Sequence, residues 1–119
     1  MDKITVKEIT EKRFNALAGY SRSPNAAYVS RELAWYANED ESVLGVLLVD
    51  TIDFDYAAVV LGRDEGGRFR AFDLESSIPD KETATQWLIN TIKWHTGKGQ
   101  KVFPQGDVSR GLDLFTPIV

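Results

Sequence analysis

Residues 43–63 read VLGVLLVD TIDFD YAAVVLGR, two apolar runs on either side of a short acidic break, and the way those runs are housed decides the fold. Each run is rich in Val, Leu or Ala and nearly unbroken by polar residues. That is the pattern of a strand in a sheet interior, covered on both faces or deeply buried on one. The strands 43–50 and 56–63 are expected to pair as a hairpin at the centre of an antiparallel sheet. Asp64-Glu65-Gly66-Gly67 is a turn signal, and 68–75 returns as a third strand with Phe72 and Leu74 on one face and Phe69 and Ala71 on the other. A meander is the economical topology.

Two continuously apolar strands need cover on both sides. One cover is a helix over 79–96, in which Trp87, Leu88, Thr91, Ile92 and Trp94 share one side with Ala84, while Lys93 lies opposite. Gly97-Lys98-Gly99-Gln100 stops it. The other cover is sought in the N-terminal region. A short strand over 4–9 leads to Thr10, an N-cap for a helix carrying Phe14, Leu17 and Ala18 and ended by Gly19. Ser23-Pro24 then resembles a second helix start, aligning Ala26, Val29, Leu33 and Tyr36, although 33–38 also reads as a strand leading into the acidic turn Glu39-Asp40-Glu41. The expected class is α+β: an antiparallel β-meander of about four to five strands, packed by two N-terminal helices and one C-terminal amphipathic helix. Residues 1–103 form one domain in this reading. Residues 104–119, with Leu112, Leu114 and Phe115 as isolated anchors, form a docked tail or the start of a linker.

A chain of 119 residues with 43% hydrophobic content supports one core. It has no cysteine, which excludes disulfides, thiolate metal sites and a cysteine nucleophile and fits a reducing, cytoplasmic setting. No apolar run approaches the roughly 18 residues of a membrane span, and the N-terminus opens no signal-peptide hydrophobic region, so neither insertion nor secretion is expected. The charge is segregated: residues 1–31 carry +3, residues 32–80 carry −9 and residues 81–119 carry +2. With a pI near 4.9, this balance argues against direct nucleic-acid binding and points to a surface built for a partner.

Catalytic patterns are missing. Asp50, Asp53 and Asp55 form an acidic surface, but the glycine and terminal Glu of a calcium loop are absent, and solvation of a hairpin turn accounts for them. His95 is the single histidine, in the middle of the apolar stripe of its helix, which fits a buried, satisfied side chain near a helix C-terminus better than a general base. Gly97-Lys98-Gly99 ends a helix where a phosphate loop would begin one. Arg63, Arg68 and Arg70 flank a glycine turn within reach of Asp64, Glu65 and Asp73, a setting for ion pairs rather than an anion site. The most interesting mixture is Tyr20, Arg22, Tyr28, Arg31, Trp35 and Tyr36. Trp, Tyr and Arg dominate interface hot spots, so Tyr20, Arg22, Arg31, Trp35 and Tyr36 are the candidate binding residues, against the plainer reading that the aromatics complete the core. No cofactor or metal site is expected.

Several stretches carry a resemblance: Arg13-Phe14-Asn15-Ala16-Leu17-Ala18-Gly19-Tyr20, Glu32-Leu33-Ala34-Trp35-Tyr36, Val43-Leu44-Gly45-Val46-Leu47-Leu48, Leu61-Gly62-Arg63-Asp64 with Gly67-Arg68-Phe69-Arg70, and Gln105-Gly106-Asp107 with Phe115-Thr116-Pro117. In these the chain resembles the N-terminal domain of long uncharacterised bacterial proteins, often plasmid- or phage-associated, whose C-terminal part resembles restriction-type nucleases. The resemblance implies an accessory module and transfers no active site. The expected function is a non-enzymatic interaction or targeting module of a mobile-element or defence protein, with a protein partner or adjoining C-terminal domain. Two alternatives stand beside it: an acetyltransferase-like scaffold lacking the usual cofactor loop, since 75–80 has no glycine where the pyrophosphate turn would be, and an acidic mimic of nucleic acid.

Overall fold

In a computed structural model, residues 4–21, 30–98 and 116–117 are described. The two apolar runs are strands β4 (Val43–Asp50) and β5 (Tyr56–Arg63), with the boundaries expected from the sequence. They pair with Val46 opposite Val59 and Leu44 opposite Leu61. Around them the chain adds β1 (Val6–Ile9), α1 (Glu11–Ala18), β2 (Tyr20–Ser21), β3 (Ser30–Asn38), β6 (Phe69–Ile78), α2 (Lys81–Lys98) and β7 (Thr116–Pro117). The main sheet runs β1-β3-β4-β5-β6 with every neighbouring pair antiparallel, and β2 and β7 form a separate two-residue pairing. The class is therefore α+β with a five-stranded antiparallel sheet. Among the described residues no helix is long and apolar enough to cross a membrane.

The expected second N-terminal helix does not extend through Leu33 and Tyr36, because Ser30–Asn38 is strand β3. Spacing of Leu33 and Tyr36 at i and i+3 satisfies a helical period, yet the same residues satisfy a strand once a β-bulge between Glu32 and Ala34 is allowed. Pairing decides between them: β4 is buried along most of its length and needs a neighbour on the side away from β5. The Pro24 start of that helix, the 99–100 part of the glycine stop and the tail anchors Leu112, Leu114 and Phe115 lie outside the described residues.

The sheet has one apolar layer on each face. Phe14, Leu17 and Ala18 of α1 pack with Trp35, Ala37, Leu44, Val46, Leu48, Val59, Leu61, Phe69 and Ala71. Thr10 caps α1 by accepting the Arg13 N–H at 3.1 Å, and Gly19 ends it at φ 68° with its N–H on Asn15. On the other face, Ala84, Leu88 and Ile92 of α2 pack with Ala34, Val43, Leu47, Ala58, Val60 and Ile78. This helix is capped by Asp80, whose carboxylate accepts the Thr83 N–H at 2.8 Å and the Thr83 hydroxyl at 2.7 Å. It lies so close to the sheet that a Cβ on Gly45 would stand 2.6 Å from Leu88 Cδ1 and 2.8 Å from Ile92 Cδ1.

Strand β6 departs from simple alternation. Val60 faces Asp73 and Leu61 faces Ala71, so Phe72 is the extra residue of a bulge, and a second irregularity separates Glu75 from Ile78. The bulge corrects the expected pairing of faces: Leu74 joins Phe69 and Ala71 on the α1 side rather than opposing them. Asp73 and Glu75 turn to the α2 side.

Candidate functional site

Strand geometry separates the aromatic candidates. Trp35 and Tyr36 are consecutive in β3 and point to opposite faces: Trp35 packs half-buried on the α1 layer and Tyr36 half-buried on the α2 layer. The Trp35 indole N–H donates to the Glu32 carboxylate. Tyr36 sits across from Glu8, and burial, then that carboxylate, raises its phenol above the usual range. Arg31 is exposed opposite Val49. The Tyr20 side chain, Arg22 and Tyr28 lie outside the described residues. Trp35 and Tyr36 thus form no shared aromatic surface.

The acidic candidates meet at the β4–β5 connection. Asp50 organises it: its carboxylate accepts the Ile52 N–H at 2.7 Å and the Asp53 N–H at 3.1 Å, its carbonyl accepts the Phe54 N–H at 2.9 Å, and its own N–H donates to the Asp55 carbonyl at 2.8 Å. An Asx turn of this kind satisfies the backbone without help from the apolar side chains. Those are turned outward, with Ile52 67% and Phe54 75% exposed, beside the exposed Asp53 and half-buried Asp55. Phe54 also holds φ at 60°, a left-handed conformation uncommon for a bulky residue. The connection is a closed, acidic tip carrying two large apolar side chains.

The other acidic turns are committed to the fold. In the β3–β4 turn Glu41 takes a two-pronged contact from Arg13 of α1 and lies 3.8 Å from Lys7, so the Arg13 hydrogen bonds hold its carboxyl below the usual range. Asp40 is likewise lowered by the hydroxyl and N–H of Ser42. In the β5–β6 turn Asp64 pairs with Arg70 and accepts the N–H groups of Gly66 and Arg68. Arg63 donates to the Gly67 carbonyl at 2.9 Å and lies over the Phe69 ring.

A concave feature lies at the far edge of the sheet. Helix α2 runs over β4 and β5, so the α2-facing row of the terminal strand β6 emerges beside the helix rather than beneath it. Between them is an open groove of about 460 Å³ lined by Asp73, Glu75, Trp87, Asn90, Thr91 and Trp94. Trp87 packs half-buried at the core margin, while Trp94, expected on the buried stripe, is 54% exposed at the groove beside the last strand. His95, 7% exposed, brings Nε2 to 3.3 Å from Asp73 Oδ2, and its ring meets Trp94 edge-on at 4.8 Å. The histidine thereby links a carboxylate of one wall to a ring of the other. The spacing of the tryptophans at i and i+7 was visible in the sequence, but the carboxylates reach them only through the bulge at Phe72. Comparison of the chain with models of known protein families, with curated proteins and with solved structures returned no match.

Proposed function

We propose that this chain is a non-enzymatic interaction module, serving to target or tether a mobile-element or defence-associated protein through the tip of the β4–β5 hairpin. One observation carries the reading: Ile52 and Phe54 stand in solvent on a turn whose backbone is closed by Asp50 and strained at Phe54. Solvent exposure of two large apolar side chains is a cost unless a partner covers them. The flanking carboxylates favour a partner with basic groups around an apolar recess. The suggested setting rests on the sequence resemblance alone.

The alternatives draw less support. Asp80 places a carboxylate on the N-terminal amides of α2, where an acyl-coenzyme A pyrophosphate would have to bind. A nucleic-acid mimic needs a continuous negative surface, whereas Glu41 and Asp64 are paired with Arg13 and Arg70. The test is a photo-crosslinking residue at position 54 in the producing cell, with one at exposed Lys12 of α1 as control. A discrete adduct at 54 that is missing at 12 supports the reading. Equal labelling or none at both sites removes it.

A further inference from the structure

We propose that the groove between β6 and α2 receives an arginine side chain of a protein partner; this rests on the interaction-module reading but uses a different surface from the hairpin tip. The chemistry of the lining selects the occupant. Asp73 and Glu75 lie two residues apart on the same face of β6, which sets their backbones roughly 7 Å apart, and Trp87 and Trp94 stand two helical turns apart across the groove. Carboxylates on one wall and indole side chains on the other suit a planar cation: a guanidinium can stack on an indole and at the same time donate to the carboxylates. Asn90 and Thr91 add polar groups able to contact the rest of the side chain or its backbone. An anion would face two carboxylates, and a purely apolar group would strip them of water, so both are disfavoured.

The site is also built rather than incidental. The bulge at Phe72 is what turns Asp73 and Glu75 away from the α1 face, and bulges often re-aim side chains beside functional sites. His95, nearly buried, contacts both the Asp73 carboxylate and the edge of the Trp94 ring, tying one carboxylate and one ring to the same side chain. A volume of about 460 Å³ is of the size that holds a small ligand or a long side chain.

The test uses the full chain labelled with ¹⁵N and the peptide acetyl-Thr-Val-Arg-Val-Thr-amide, with citrulline in place of arginine as an uncharged control of the same shape. The three indole N–H resonances are separate reporters. Saturable shifts at Trp87 and Trp94, none at Trp35 on the opposite face, and at least about tenfold weaker binding of the citrulline peptide are expected. Glu75→Gln and Trp94→Ala, both at positions outside the buried core, should each weaken the arginine peptide several-fold while leaving the Trp35 resonance in place. Absence of saturable shifts, equal binding of the two peptides, or binding unchanged in both variants overturns the proposal. Crosslinking at position 54 is independent: an adduct there without peptide binding here sinks the groove alone, and the converse sinks the tip alone.

Discussion

The turns at the two ends of β4 are both acidic, yet they use their carboxylates in different ways. In the β3–β4 turn nearly every polar group is engaged: Asn38, 1% exposed, accepts the Val43 N–H and donates to Ser42 and Thr96, and Glu41 clamps Arg13. In the β4–β5 turn Asp50 closes the backbone through its carboxylate and its main chain, and two large apolar side chains are left in water. Sequence charge cannot separate these cases, because both stretches carry three carboxylates within a few residues. Hydrogen-bond accounting can. The first turn is a fastener and the second a presented surface.

Strand β4 is a rigid bar between these two turns, and Gly45 is where it can be broken. Gly45→Val would drive a branched side chain into Leu88 and Ile92, both fully buried. It should destabilise the chain by about 3 kcal/mol, the upper part of the range for overpacking, by urea denaturation. A loss under about 1 kcal/mol would mean that α2 does not sit on this strand. Next in size is Asn38→Ala, which leaves the buried Val43 N–H without its acceptor and frees Thr96 of α2; about 1–3 kcal/mol should be lost. Asp50→Ala should cost less, under about 1 kcal/mol, because water reaches the amides of Ile52 and Asp53. Equal losses would erase the distinction between the two turns.

What the sequence made legible follows the same logic. Strands β4 and β5 were readable to the residue because an unbroken apolar run ended by Asp and Gly signals has one good housing. Leu88 and Ile92 were readable because the helical period is local. Strand β3 was not, since Leu33 and Tyr36 fit both periods and the choice rests on β4 needing a partner. The groove was hidden for a related reason: strict alternation puts Asp73 with Phe69 and Ala71, and only pairing with β5 reveals Phe72 as the extra residue. Long-range register, not composition, brings Asp73 and Glu75 to Trp87 and Trp94.

A smaller effect of opposite sign is expected at the presented end. Phe54→Gly relieves the positive φ, and the gain exceeds the entropy that glycine adds to the unfolded chain, so stability should rise by about 0.5–1 kcal/mol while crosslinking through the neighbouring position 52 falls. Gained stability with lost partner contact is the signature of a residue kept for binding. Lost stability instead would assign Phe54 to the fold.

The smallest effect is at the fastened end and depends on pH. The Glu41 carboxyl is held below its unfolded value, about 4.3, chiefly by hydrogen bonds from Arg13 and then by the charges of Arg13 and Lys7. A group depressed in the folded state binds its proton more readily when unfolded. Its contribution is therefore complete above about pH 4.3 and is lost as the pH falls through the lowered folded value. Glu41→Gln should leave a shallower acid limb when urea midpoints are compared from pH 5 to pH 2, with the two proteins converging at the acid end. Because the pair faces solvent, high salt should shrink the difference at neutral pH. Arg13→Ala should flatten the same limb, since it removes the cause of the shift from the other side. If Arg13→Ala flattens it and Glu41→Gln does not, Arg13 is acting on another carboxylate, and the fastening of α1 to the β3–β4 turn has been assigned to the wrong acid.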